Sequence, residues 1–284
     1  MILLTGATGT IGRALATQLV DAGAGVRAMT RDPEKARPLL PRSVEIVHAD
    51  FTDPASLGRA LAGIESLFLL TSPGPSIHAH DEATVQLARD TRIRRIVKMS
   101  AFGAGAPSPL KAGAWHVPGE RAIASSGVAY TFLRPTAFAS NALQWASAIR
   151  TGESVDVATA KGKHAVIDPR DVAAVAADAL TSNAHEGKAY TLTGPEAVDT
   201  HEQLRIIGRA LGRDVHGRDV DLETLQRRAR DAGVPEAFVA AMVEGLAFVR
   251  DDKASETTDA VERILGRPPR SFAEWVRDNL SAFA

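Results

Sequence analysis

The sequence predicts an α/β fold: a doubly wound parallel sheet joined to a smaller, mostly helical C-terminal lobe for the substrate. Three observations predict it. Short apolar runs alternate with helical stretches through the first half of the chain. The runs lack strict polar alternation, as expected of strands covered on both faces. A glycine-rich turn joins the first run to the first helical stretch.

The elements follow in order. Met1–Leu4 is the first apolar run and ends near glycine. Ile11–Asp21 has helical spacing through Ile11, Leu15, Leu19 and Val20. Gly25–Met29 and Val44–His48 read as the second and third strands, and Asp53-Pro54 opens a short helix. Ser66–Leu70 reads as the fourth strand, followed by the turn Ser72-Pro73-Gly74-Pro75. His78–Arg92 reads as a helix, Arg95–Met99 as the fifth strand, Gly113–Ser126 as a helix and Val128–Leu133 as the sixth strand. Strand, helix, strand at this pitch implies right-handed crossovers within one parallel sheet.

Past Arg134-Pro135 the chain becomes more helical. Pro135–Arg150 reads as one helix. Asp168 as N-cap and Pro169 at the first helical position start another, running to Thr181. Ala189–Leu192 returns as a strand. Thr200–Leu211, Asp221–Ala232, Pro235–Val249, Ser255–Leu265 and Ser271–Phe283 read as helices, with Gly212, Gly233 and Gly266 as stops. The expected division is a nucleotide-binding core over residues 1–155, completed by 165–195, and a helical substrate lobe over 196–284.

Composition narrows the function classes. The chain has 284 residues, 33 Lys+Arg against 34 Asp+Glu, and a formal net charge of -1. That balance argues against nucleic acid or an anionic membrane as partner. With 0 Cys, thiol nucleophiles, thiolate metal sites and disulfides are excluded. Met1–Gly6 has no basic leader, and no apolar run approaches the roughly 20 residues of a spanning helix. A cytoplasmic setting is expected.

The turn Thr5-Gly6-Ala7-Thr8-Gly9-Thr10-Ile11-Gly12 carries the strongest chemistry. Gly6 permits a sharp exit from the strand, Gly9 lets backbone approach a pyrophosphate, and Gly12 lets helix and strand pack closely. The helix N-terminus then offers N–H groups to the phosphates. Gly6, Thr8, Gly9, Thr10, Ile11 and Gly12 are the candidate phosphate-loop residues of a Rossmann-type dinucleotide site. Arg31 follows the second strand, where an acidic residue would bind a ribose 2′-hydroxyl. A guanidinium there suits a 2′-phosphate, with Lys35 as a second cation, so NADP(H) is expected over NAD(H). Asp50-Phe51 follows the third strand. Asp50 has two readings: a carboxylate near the adenine amine, or the cap of the helix that opens at Asp53.

These residues, with Lys98-Met99-Ser100-Ala101 after the fifth strand, resemble the short-chain dehydrogenase/reductase superfamily, and more narrowly its atypical, NmrA-like branch. His116-x-x-x-Glu120 and Ser126–Pro135 are similar to the group of type 2 NAD(P)H:quinone oxidoreductases and triphenylmethane reductases. Ile167–Ala173 and Gly266–Phe272 look like the same group, so the resemblance spans nearly the whole chain. It implies an NADPH-dependent reductase of a quinone-like or other conjugated aromatic molecule. The superfamily's usual Tyr-x-x-x-Lys pair has no counterpart. Of the 2 Tyr, Tyr130 lies inside the sixth strand and Tyr190 in the seventh, and His116 and Glu120 occupy the register of the pair.

Several residues remain as candidates for contact with cofactor or substrate. His116 can deliver a proton, or be a helix residue bonded to a loop; Lys111 can orient a carbonyl, or be a solvated loop residue. Ser100 ends the fifth strand, where open sheets bind ligands. Leu70, Thr71, Ser72 and Pro73 after the fourth strand, and Pro135, Thr136 and Phe138 after the sixth, are expected along the cofactor. Phe102, Trp115, Phe138, Asn141 and Trp145 are the expected substrate residues. His78-x-His80 diverges on a helix, so no metal is assigned. Two other readings stay open: a non-catalytic NADP(H)-binding sensor of the NmrA type, and a tailoring reductase in natural-product biosynthesis. A homodimer fits as well as a monomer.

Overall fold

The computed structural model describes residues 1–89, 91 and 93–284. β1 (Ile2–Leu4) leads through the glycine turn into α1 (Thr10–Asp21). Then come β2 (Val26–Thr30), α2 (Pro33–Ala36), β3 (Glu45–His48), α3 (Pro54–Leu61), β4 (Ser66–Leu69), α4 (Ile77–Arg89) and β5 (Arg95–Met99). α5 (Lys111–Ala114) and α6 (Val117–Ala124) precede β6 (Ala129–Pro135). α7 (Ala146–Thr151), β7 (Val155–Val157), β8 (Lys163–His164), α8 (Pro169–Thr181), β9 (Lys188–Leu192), β10 (Val198–Asp199), α9 (Thr200–Leu211) and β11 (Gly217–Asp219) follow. α10 (Leu222–Asp231), α11 (Glu236–Arg250), α12 (Ala260–Leu265) and α13 (Phe272–Asp278) close the chain.

The chain divides into two compact units. The first is Met1–Arg134 with Pro169–Thr191, and the second is Pro135–Asp168 with Leu192–Ala284. Residues 135–155, grouped with the nucleotide-binding core from sequence, thus pack within the second unit.

The first unit is built on a seven-stranded sheet in the order β3-β2-β1-β4-β5-β6-β9. Ile2 lies opposite both Val26 and Ser66, and Lys98 opposite Leu69 and Phe132, all in parallel register. Gly187 donates to the Tyr130 carbonyl and Thr136 to that of Leu192, so β9 runs the same way as β6. α1 packs with α8, while α4 packs with α3 and α6. This is the doubly wound Rossmann arrangement that the alternating runs predict. Leu3, Leu57, Leu67, Leu69, Ile96 and Ile123 form a fully buried core, and each contributes about 2 kcal/mol by leaving water.

Two helix assignments change for stated reasons. The helix expected over Gly113–Ser126 is two, because Pro118 fits only a first turn, where its missing N–H costs nothing. The helix expected over Pro135–Arg150 begins only at Ala146. Upstream, Phe138 is extended and bridges Ile167, whose carbonyl takes the Ala139 N–H, and Ala139–Trp145 then coils as a 3-10 turn. The expected His78–Arg92 helix is seen over Ile77–Arg89; Asp90 and Arg92 lie outside the described residues.

The second unit packs Ile149, Val155, Val166, Ile207, Phe272 and Trp275 into a core of its own. β7 pairs with β11 in parallel and β8 with β10 antiparallel. The region expected as a helix from Ser255 coils only over Ala260–Leu265, after Asp259 at its N-cap position. The last helix begins at a capping box between Ser271 and Glu274 and ends at Asp278.

Candidate functional site

The glycine turn is shaped by steric need at two of its three glycines. Gly6 has φ +62°, and a Cβ there would sit 2.5 Å from Leu70 Cδ2. At Gly12 a Cβ would meet the Gly6 carbonyl oxygen at 2.2 Å, so the first helix can lie against the turn only without a side chain. Gly9 differs. Its φ is -76°, and the nearest atom to a Cβ, the Gly6 oxygen, is 3.4 Å away. The fold therefore tolerates a side chain at Gly9. Gly9 is the N-cap of α1 and supplies no side-chain cap. The helix N-terminus is left open to an anion.

Beside this turn lies a cleft of about 580 Å³, formed at the carboxyl ends of β1, β2, β3 and β4. The structure brings Gly6, Thr8, Arg31, Lys35, Asp50, Phe51, Leu70 and Ser72 together around it. Thr5 ties two of these ends, accepting from the Leu70 N–H at 2.7 Å. Ile11 and Gly12 are buried beneath the turn, Thr10 and Pro73 are exposed, and Thr71 is buried behind the wall. His80, which sequence reasoning did not select, lines the cleft and stacks on Phe51, with ring centroids 5.2 Å apart.

Charges at the end of β2 are divided. Asp32 caps α2 by accepting from the Lys35 N–H at 3.1 Å, and its carboxylate pairs with the Lys35 ammonium at 2.9 Å. These bonds hold the Asp32 carboxyl below the usual carboxylate range. Lys35 is largely exposed, so this surface pair leaves its ammonium free to turn to a ligand on the cleft it lines. Arg31 is exposed, and among the described residues no carboxylate pairs with its guanidinium. Asp50 does not cap the following helix, because Asp53 does so by accepting from Ala55 and Ser56. Asp50 instead accepts from the Thr52 N–H at 2.8 Å and hydroxyl at 2.7 Å, which lower its pKa.

A second group of polar side chains lies behind the ends of β4, β5 and β6. Lys98 and Asp81 pair at 2.9 Å, and neither side chain has any solvent exposure. Burial pushes the Asp81 carboxyl up and the Lys98 ammonium down, and the attraction between them opposes both shifts. Gly119 makes room, since a Cβ there would lie 2.1 Å from Asp81 Oδ2. Ser100 Oγ donates to Glu120 Oε1 at 2.6 Å. Arg134 Nε donates to the same oxygen at 3.0 Å and its Nη2 bonds Oε2. The Ser100 proton is therefore already placed. Lys98, Asp81 and Arg134 went unselected from sequence; a lysine inside the apolar run Arg95–Met99 was the one visible signal.

His116 is half-buried. Burial, with a smaller push from Lys98, lowers its pKa to about 3, and its Nδ1 is buried without a hydrogen-bond partner. A neutral imidazole can still donate one N–H. Lys111 is exposed at the start of α5, and Phe102 and Trp115 are half-buried nearby in sequence. Tyr130 stacks on Phe132 within β6, and the Tyr190 hydroxyl bonds His185 Nδ1 at 2.9 Å.

The remaining candidates belong to the second unit. Pro135 is buried, and the Thr136 hydroxyl donates to the Ala165 carbonyl. Phe138 is half-buried, Asn141 is exposed, and Trp145 packs against the unit's core. Among the described residues no helix is long and apolar enough to cross a membrane.

A parallel sheet whose first turn opens onto an uncapped helix N-terminus, beside a cleft at its carboxyl edge, defines a dinucleotide-binding α/β protein. Residues 6–183 match the model of a family described as NAD(P)H-binding. The chain is 35% identical over 283 residues to the NAD(P)H azoreductase of Xenophilus azovorans, covering 100% of this chain and 99% of that one. It is 36% identical over 285 residues to a (4-alkanoyl-5-oxo-2,5-dihydrofuran-3-yl)methyl phosphate reductase of Streptomyces griseus, again across 100% and 99%. The solved NADPH complex of Escherichia coli quinone oxidoreductase QOR2 superposes with a TM-score of 0.87 at 26% identity, covering 98% of this chain and 99% of that one. The chain belongs to the NAD(P)H-binding family and is an NAD(P)H-dependent oxidoreductase.

Proposed function

We propose that the protein reduces a conjugated, electron-poor small molecule, quinone-like or otherwise aromatic, by hydride transfer from NADPH. The observation that carries this reading is the meeting of Gly6 and Thr8 of the glycine turn, Arg31 and Phe51 on one cleft, beside the uncapped α1 N-terminus. Gly9 and its neighbours would take the pyrophosphate. Arg31, in no ion pair among the described residues, would take the 2′-phosphate, while Asp32 is turned away into its cap and the Asp50 carboxylate on the same cleft is held by Thr52. Phe51 would face the base. The bound nicotinamide supplies the hydride. The acceptor gains that hydride and one proton, so quinone, NADPH and H⁺ give hydroquinone and NADP⁺. An acceptor of this kind needs little general acid, which fits a site where His116 is held neutral. His116 would orient an acceptor oxygen through its N–H, as a neutral donor.

The relatives support the acceptor class through the chemistry in their names: an azo bond, a quinone and an unsaturated lactone are all conjugated π-systems that accept hydride. The test is oxidation of NADPH and NADH against a quinone, an azo dye, a triarylmethane dye and an acylated butenolide. NADPH-preferring turnover of at least one acceptor is expected. Equal use of the two cofactors would remove Arg31 from its role, and tight NADPH binding with no turnover of any acceptor would overturn the substrate class.

A further inference from the structure

We propose that Glu120 is a positioning residue that fixes Ser100 as a hydrogen-bond acceptor for the nicotinamide carboxamide. A serine hydroxyl has a single O–H to give and two lone pairs to receive with. In this chain that proton goes to Glu120 Oε1 at 2.6 Å, the short distance of a hydroxyl bonded to an ionised carboxylate. Ser100 can then offer an incoming ligand only lone pairs.

Glu120 is held in that role from its other side. Arg134 grips both carboxylate oxygens, Nε on Oε1 at 3.0 Å and Nη2 on Oε2. The glutamate side chain is only 7% exposed and the arginine 19%, so water competes weakly for either. Arg134 is fixed in turn, because Gly105 lies so close to its Nη1 that any Cβ would collide with it. Rotating the Ser100 hydroxyl outward would strip a nearly buried carboxylate of a donor, which is costly.

Ser100 stands immediately after β5, at the carboxyl edge of the sheet. The inference rests on the proposed reading that the dinucleotide crosses this edge with its nicotinamide half beyond the phosphate loop. The donor at that end of the cofactor is the carboxamide NH₂. A substrate carbonyl, which needs a donor, gains nothing from Ser100 in this polarity.

The experiment compares equilibrium affinity for NADP⁺ and for its 3-acetylpyridine analogue, in which a methyl group replaces the carboxamide NH₂. Quenching of tryptophan fluorescence reads both. The wild type is expected to favour NADP⁺ by on the order of fivefold to tenfold, the worth of one hydrogen bond. Glu120→Gln combined with Arg134→Met keeps the side-chain volume at 120 and removes the guanidinium donors that face it, so the amide N–H can donate to Ser100 and turn the serine proton outward. The preference then falls to about onefold. Ser100→Ala, which tests the same contact without touching Arg134, gives the same loss. An unchanged ratio in either folded variant, or no preference in the wild type, overturns the proposal. Gly9→Val separates this from the cofactor-site reading: it should weaken both ligands equally, and undiminished binding of both would sink that reading whatever the ratio does.

Discussion

Lys98 and Asp81 form an ion pair 2.9 Å long inside the first unit, with no solvent exposure on either side chain. A buried pair gains little over apolar residues of the same size, but a buried charge without its partner is very costly. Lys98→Met alone is therefore expected to destabilise the fold by about 3–5 kcal/mol. The double variant Lys98→Met/Asp81→Leu should recover most of that loss, because no unpaired charge remains. Urea midpoints of the wild type, the single and the double variant check this. A double variant no better than the single would show that the two charges are not coupled.

Arg31→Ala should separate the two cofactors. The exposed guanidinium lowers the pKa of Asp50, but that carboxylate keeps its bonds from the Thr52 N–H and hydroxyl, so removing Arg31 should have little effect on folding. Loss of a charge-assisted contact to the 2′-phosphate should weaken NADPH by roughly tenfold or more. NADH, lacking that phosphate, should change by less than about twofold. Isothermal titration with each cofactor measures both numbers, and equal losses would reassign Arg31.

The same residue shows how far the sequence could be read. Arg31 and the glycine turn were legible because their meaning lies in local order: strand, turn, helix, and the first residue after the second strand. Only coordinates show the Asp32 carboxylate folded back onto Lys35. Asp50 and Asp53 were exchangeable as caps until their hydrogen bonds were seen. Lys98 and Asp81 stand 17 residues apart on a strand and a helix, and no local pattern pairs them. The two- and three-residue strands of the second unit carry no periodicity long enough to detect.

Gly9 and Gly12 should part company under substitution. Gly9→Val adds atoms where the backbone is unstrained and the nearest neighbour is 3.4 Å away, so the protein should fold with a near-wild-type melting temperature. It should lose dinucleotide binding by at least about tenfold, because the new side chain stands over the α1 N-terminus. Gly12→Ala drives a Cβ to 2.2 Å from the Gly6 oxygen and should damage folding itself. Differential scanning calorimetry beside an NADPH titration distinguishes the two outcomes. A folded Gly9→Val variant with full affinity would remove the phosphate from this turn.

Two histidines set the acid side of stability. Burial lowers His164 from the ordinary histidine value of 6.5 to about 4 and His116 to about 3. In both cases the folded state favours the neutral ring. Between the unfolded and folded values the unfolded chain binds protons that the folded chain refuses, so stability rises with pH across that window. It is complete above about pH 6.5 and is lost as pH falls toward 4 for His164 and toward 3 for His116. The carboxylates Asp32, Asp50 and Glu202, held below the usual carboxylate range by their hydrogen bonds, add to the loss only at the acid end. Urea midpoints should therefore drop between about pH 6.5 and about pH 4.5, before carboxylate titration dominates. His164→Gln should flatten that slope while leaving NADPH affinity unchanged, since His164 belongs to the second unit and the proposed cofactor cleft to the first. A wild-type slope that survives His164→Gln and His116→Gln together would place the acid sensitivity elsewhere.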